Sequence, residues 1–241
     1  GLLALPLIHF KKTSINILNY DEHAEKSNSF KIFNKFHEDK NKIYFHSKVE
    51  NKFLEEKFYE NFAFNSSDNY ITFQIRNSEF YSDINYLNRN SSTDSYLDAI
   101  NYLAELNYKI IMLNSYSSLS HLVSEKFRKQ IFKFENYKNT SSNQSLELFI
   151  RKNSNFFICC NFGPKNVAQM LNVPSLITNC FPYHALFGYG NLDISIPKII
   201  YKNNVQVSLK EIINSNFYLG QNLKENSDIT FKENSNEDIL N

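Results

Sequence analysis

Tryptophan is missing from this chain and glycine is rare, with five in 241 residues. The glycine-rich phosphate loops are missing too. Neither Gly-x-Gly-x-x-Gly nor the Walker pattern occurs, which disfavours nicotinamide cofactors and P-loop nucleotide hydrolysis. No Gly-x-Ser-x-Gly elbow supports a Rossmann-like hydrolase. An excess of either charge is also lacking: 26 basic and 25 acidic residues leave a formal charge of +1, so nothing marks nucleic acid or an anionic membrane as a partner. Cys159, Cys160 and Cys180 are odd in number, show no Cys-x-x-Cys spacing and lie in apolar surroundings. They read as reduced packing residues of a cytosolic protein. Long apolar runs are absent. Gly1 to Phe10 falls far short of the roughly 20 residues that cross a bilayer, and it lacks the features of a signal peptide. It is expected to be a buried strand. The chain starts at Gly1 rather than Met and is read as a fragment or processed product. Heavy use of Asn, Lys, Ile, Phe and Tyr reads as base-composition bias rather than a functional signal.

What is present supports a core: 42% of residues are apolar, enough for one large or two small domains. Asn155 to Asn179 reads as strand, tight turn, helix, strand. Phe156 to Cys160 is an apolar run suited to a sheet buried on both faces, and Asn161-Phe162-Gly163-Pro164 breaks it. Pro164 suits the first turn of a helix, whose apolar stripe is Val167, Ala168, Met170 and Leu171. Ser175 to Thr178 has strand character again. Further strands are expected at Tyr70–Arg76, Tyr108–Leu113 and Ile131–Phe134, and helices at Ser95–Leu106 and around Leu146–Arg151. Strands alternating with helices of about a dozen residues predict an α/β fold with a Rossmann-like parallel sheet. The boundary is expected at Asn65 to Asn69. Residues 1–65 then form part of an N-terminal α/β half, 66–220 the main domain, and 221–241 a frayed polar tail.

Ligands of open parallel sheets bind outside the carboxyl ends of the strands, and the N–H groups of a following helix attract phosphate. Arg76 ends a strand there and offers a guanidinium that forms paired bonds with phosphate oxygens. The alternative is a surface arginine pairing with Glu79 or Asp83, worth little. Asp94 or Ser95 is expected to cap the next helix, which leaves Arg89 and Asn90 as ligand candidates. The turn at Asn161, Gly163 and Pro164 suits a pyrophosphate. Asn179 to Lys198 is expected to be a long loop that gathers Pro182, Tyr183, His184, Gly188, Gly190, Asn191, Asp193 and Lys198, a mixture suited to nucleoside or sugar recognition. The alternative is a loop packed by its own aromatic side chains. His184 is a candidate general base, although a lone histidine is more often structural. The other histidines make no metal spacing.

Arg76-x-x-x-x-Tyr81, Arg89-Asn90 ahead of Tyr96, Leu146-Glu147-Leu148-Phe149 before Asn155-Phe156-Phe157-Ile158, the turn ending in Gly163, Val173-Pro174 before Thr178-Asn179, and Pro182 through Gly190-Asn191 to Ile196-Pro197-Lys198 recur as an ordered set. Over about residues 70–215 this set resembles a family of bacterial glycosyltransferases from surface-polysaccharide gene clusters. The resemblance implies a GT-B-like architecture in which this region is the nucleotide-sugar-binding half and residues 1–65 remain from the acceptor half. It makes Arg76 similar to the strand-end arginine that fucosyltransferase-like enzymes place on the donor diphosphate. The chain departs from the family at its turn, usually small and polar like Gly-Thr-Asn-Ser-Gly, which here is Cys159-Cys160-Asn161-Phe162-Gly163.

The expected function is metal-independent transfer of a sugar from a nucleotide-sugar donor to a cell-surface glycan or lipid-linked glycan acceptor. No cofactor and no transmembrane segment are expected, and the place is the cytoplasm, extending to the inner face of the membrane. Arg76, Arg89, Asn90, Asn161, Gly163, Pro164, Asn191, Asp193 and Lys198 would bind the donor, and His184 or Asp83 would take the acceptor proton. The competing expectation is a non-catalytic α/β module, derived from a transferase, that holds a nucleotide or glycan.

Overall fold

The structure, a computed structural model, describes residues 52–65, 67–77, 88–114, 123–134, 143–160, 163–183, 193–215 and 228–240. The strand expected over residues 1–10 lies outside the described residues, as do Asp83, Asn161, Phe162, His184 and Asn191.

In chain order the elements are α1 (Lys52–Phe62), β1 (Tyr70–Gln74), α2 (Leu97–Glu105), β2 (Lys109–Met112), β3 (Ile131–Lys133), α3 (Asn143–Lys152), β4 (Phe156–Cys160), α4 (Gly163–Met170) and β5 (Ser175–Cys180). There follow β6 (Ile194–Pro197), β7 (Ile199–Lys202), β8 (Val205–Gln206), α5 (Leu209–Ile213), β9 (Ile229–Lys232) and α6 (Asn236–Leu240). Six strands form one parallel sheet in the order β3-β2-β1-β4-β5-β6. Helices cover both faces, which is why all five residues of β1 are buried and why the central strands read as unbroken apolar runs. Tyr70, Ile111, Phe157 and Ile177 face α1, α3 and α4, where they meet Leu54, Phe58, Leu146, Ile150 and Ala168. Ile71, Phe73, Ile110 and Ile158 face the other way, against Tyr96 just before α2, Ile100 and Ala104 of α2, and Ile239 of α6.

The first face is sealed by rings. Phe58 stands edge-on to Phe64 with centroids 5.3 Å apart and packs against Tyr70 at 5.1 Å. Phe64 meets Phe132 at 4.7 Å. Such pairs add about 0.5–1.5 kcal/mol each beyond their burial, and the Tyr70 hydroxyl completes the contact by donating to the Ile150 carbonyl at 2.8 Å.

Scarcity of glycine is met by asparagine. Among the described residues the non-glycine positions with positive φ are Ala63, Asn107, Asn172, Asn179, Asn203 and Asn204, and asparagine tolerates that backbone because its short side chain bonds locally. Asn107 follows α2 and Asn172 follows α4, places where glycine commonly ends a helix. Asn203 and Asn204, at φ 52° and 60°, join β7 to β8 in a two-residue hairpin of the type I′ kind.

Three expectations are corrected. Neither Asp94 nor Ser95 caps α2: both lie in a 3-10 turn, and the cap positions fall to Thr93 and Tyr96. The segment 179–198 is not all loop, because β5 runs on to Cys180 and Ile194–Pro197 adds an edge strand beside it. The tail is not frayed where it is described. β9 pairs antiparallel with β7, and Ile239 of α6 is buried against the α2 face. Alternation of Ile229 and Phe231 with Thr230 and Lys232 gives β9 one half-buried side, and that periodicity outweighs the polar composition around it.

Candidate functional site

The strand order reverses between β1 and β4: β2 and β3 continue outward from one, β5 and β6 from the other. Both strands point the same way, so their carboxyl ends frame the crevice in which ligands of such sheets bind. Arg76 lies two residues beyond β1 and Gly163 opens α4 three residues beyond β4. The two therefore flank the switch point. Lys198 follows β6 directly and shares the same edge.

Arg76 is a buried residue, 5% exposed, not a surface cation. Its backbone N–H reaches the Cys160 sulfur at 2.9 Å, tying the ends of β1 and β4, and its carbonyl accepts from Ser91 N at 2.8 Å. Asn114 clamps the residue before it: its Oδ1 accepts from Ile75 N at 2.9 Å and its Nδ2 donates to the Ile75 carbonyl at 2.8 Å. The Arg76 Nε donates to Asn90 Oδ1 at 2.9 Å. Asn90 thus has a structural duty that sequence reading did not give it. Its carbonyl accepts from Lys198 Nζ at 2.6 Å, and Lys198 Nζ also meets Glu233 Oε1 at 3.1 Å. The Lys198 ammonium is consequently spent on a strut between the 90–92 segment and β9.

On the other flank, α4 begins with exposed Gly163, where an added Cβ would meet nothing within 4 Å, and half-buried Pro164 lies in the first turn as expected. Lys165, one residue on, is buried at 5% exposure. Burial pushes its ammonium below the ordinary lysine value; Cys180, Cys159 and Asp193 pull the other way, and Arg89 pushes it further down. Asp193 and half-buried Arg89 are thus both within electrostatic reach of Lys165.

The Asp193 carboxylate is anchored at the opposite edge of the sheet from Arg76 and Lys198. It accepts from Ser175 N at 3.1 Å and from Gln169 Nε2 at 3.3 Å, at the start of β5 and the end of α4. That is the amino edge of the sheet, because Asp193 precedes β6 instead of following a strand. Its grouping with Arg76 and Lys198 is corrected on that ground. The thiols of Cys159, Cys160 and Cys180 are buried and unbridged, and burial pushes all three up, Cys180 to about 12. Thiols so raised are inert packing groups. Among the described residues no cluster of His, Cys, Asp and Glu is placed to hold a metal ion, and no helix is long and apolar enough to cross a membrane.

No protein-family model matches the chain, and no curated protein matches it. Among solved structures it is similar to ADP-heptose LPS heptosyltransferase II of E. coli, with a TM-score of 0.50 and 10% sequence identity over 68% of this chain. The fold is glycosyltransferase-like. The match spans 50% of the heptosyltransferase chain, and at that identity the likeness is one of fold.

Within this glycosyltransferase-like fold, sequence reasoning missed Lys165, Tyr96, Asn179, Glu233 and Asn234. Buried Tyr96 bonds Thr178, and Asn179 and Asn234 exchange backbone-to-side-chain bonds across the carboxyl edge. Asn234 Nδ2 also donates to the Pro197 carbonyl at 2.9 Å. The one signal for the last two was the alternation in β9. Lys165 stood in plain sight as the first cation after the Gly163-Pro164 turn.

A buried ammonium costs stability, so Lys165→Met is expected to raise stability at neutral pH by about 1 kcal/mol. The gain should vanish in alkali. Between the lowered pKa of native Lys165 and the ordinary 10.5, the unfolded chain holds a proton that the native one has lost, so the unmodified protein gains stability as pH rises through that window. Urea unfolding of both proteins at neutral pH and near pH 10 measures the gap; a gap that widens in alkali refutes the assignment.

Proposed function

We propose that this chain carries the nucleotide-sugar-binding half of a glycosyltransferase of GT-B type, which moves a sugar from a nucleotide-sugar donor to a cell-surface glycan or lipid-linked glycan in the cytoplasm. The observation that carries the reading is the flanking of the switch point by Arg76, two residues beyond β1, and by the Gly163 start of α4. As the sugar leaves, charge builds on the diphosphate. A guanidinium and helix N–H groups fixed in place stabilise that charge without having to reorganise. Arg89 and Lys165 add positive potential, so the chemistry does not require a metal. His184 or Asp83 takes the acceptor proton, and Asn161 and Asn191 position hydroxyls. Asn90 and Lys198 serve the donor indirectly, by holding Arg76 and its loop.

A thermal-shift screen with uridine, guanosine, cytidine and adenosine diphosphates tests the binding step. At about 100 times its dissociation constant the right nucleotide adds about 2.7 kcal/mol, and the matching nucleoside should add much less. No shift with any of the four overturns the proposal. The second reading, a binding module without turnover, draws support from the sequence Cys159-Cys160-Asn161-Phe162-Gly163, with its bulky Phe162, where the resembled family is small and polar. Binding without hydrolysis or transfer of any sugar nucleotide would select it.

A further inference from the structure

We propose that Glu233 is a positioning residue for the diphosphate site, setting the Arg76 guanidinium through Lys198 and Asn90. The inference rests on the donor-binding reading above and extends that site to a segment near the carboxyl end of the described chain.

Glu233 follows β9, whose four-residue pairing with β7 fixes where the carboxylate lies. Its two oxygens do different things. Oε2 accepts from the Ser92 backbone N–H at 2.7 Å, and Oε1 accepts from Lys198 Nζ at 3.1 Å. Lys198, its side chain 3% exposed, passes the constraint on by donating to the Asn90 carbonyl at 2.6 Å. Asn90 Oδ1 then takes the Arg76 Nε at 2.9 Å, while Ser91 N donates to the Arg76 carbonyl at 2.8 Å. Residues 90–92 are held between Arg76 on one side and Glu233 on the other. The bond at Nε fixes the direction in which the planar guanidinium is presented. Asn234 fastens the same crossing to β5 and β6 through Asn179 and the Pro197 carbonyl. An acidic residue beside an anion site ordinarily opposes binding, so its presence there calls for a compensating role. Holding two donors at once is one, since a backbone N–H and an ammonium together need two acceptor oxygens.

The experiment is a double-mutant cycle read by calorimetry, with the nucleoside diphosphate that the unmodified protein binds best and its nucleoside. Glu233→Gln keeps one acceptor for Ser92 and turns an amide toward Lys198, cutting the path with little change of shape. It is expected to weaken diphosphate binding about fivefold in the Arg76 background and to change nothing further in Arg76→Ala. Nucleoside affinity should stay unchanged. Lys198→Met cuts the path one link nearer Arg76 and should give the same pattern. Tighter diphosphate binding by Glu233→Gln would make the residue a mere counter-charge and overturn the proposal. So would no change, or an equal loss in both backgrounds. Failure of the unmodified chain to bind any nucleoside diphosphate is a separate result: it brings down the donor-binding reading, and the positioning role with it.

Discussion

Arg76→Ala is expected to weaken nucleoside-diphosphate binding by about 2 kcal/mol or more, roughly thirtyfold, because it removes a charge-assisted pair from a desolvated position. Nucleoside affinity should hardly move, because the proposal gives that guanidinium to the diphosphate and not to the base or ribose. Arg76→Lys should recover little, because an ammonium cannot form two parallel bonds and cannot serve Asn90 and phosphate in one plane. The side chain is 5% exposed and bonded to Asn90, so a lower melting temperature will accompany the change. For that reason the ratio of the two affinities decides the matter, not either one alone. An equal loss for nucleoside and diphosphate would reduce Arg76 to a support of the fold.

The largest stability effect is expected at a second buried cation, away from the site. Arg151 of α3 is 3% exposed, donates through Nη2 to Glu147 at 2.6 Å and to Gln74 of β1 at 2.7 Å, and lies over the Phe157 ring at 5.3 Å. Burial pushes its guanidinium down and the neighbouring Glu147 carboxylate restores part of that. Glu147→Ala strands the charge under the sheet and should cost about 3 kcal/mol. Removing both charges in Glu147→Leu with Arg151→Met should cost only about 1 kcal/mol, chiefly for the Gln74 oxygen left without its donor. Denaturant midpoints of the two variants measure the difference. A double variant less stable than Glu147→Ala would refute the account.

The parallel sheet was legible because its central strands obey one simple constraint, burial on both faces. Tyr70–Gln74, Lys109–Met112 and Phe156–Cys160, with the edge strand Ile131–Lys133, all lie within the expected runs, and Pro164 marked the start of α4. Strand order was not legible: it depends on the pairing of β1 with β4, whose partners Thr72 and Phe157 carry no mark of each other in sequence. The site was half legible. Arg76 and Gly163 announce themselves by position after a strand, since topology alone sends them to the carboxyl edge. Asp193 was read as part of one long loop after β5; the unforeseen edge strand β6 within that loop starts just after it and so sets its carboxylate at the amino edge. Glu233 and Asn234 were hidden because their partners are distant, Ser92 being 141 residues from Glu233 and Asn179 55 from Asn234. Local composition there said only that the segment is polar.

The crossing of the carboxyl edge by residues 229–234 also sets an order of assembly. On the ribosome the rings of α1 and the segment up to Tyr70 emerge early and find partners among themselves, whereas β1 waits for β4 before its second edge is paired. Pairings so far apart in sequence form slowly, since loop closure precedes their reward. The clamp on Asn90 arrives later still, when β9 has been made and has paired with β7. A nascent chain therefore completes its six-stranded parallel sheet before residues 229–234 exist to brace the 90–92 segment, so that brace is the last tie across the carboxyl edge to form.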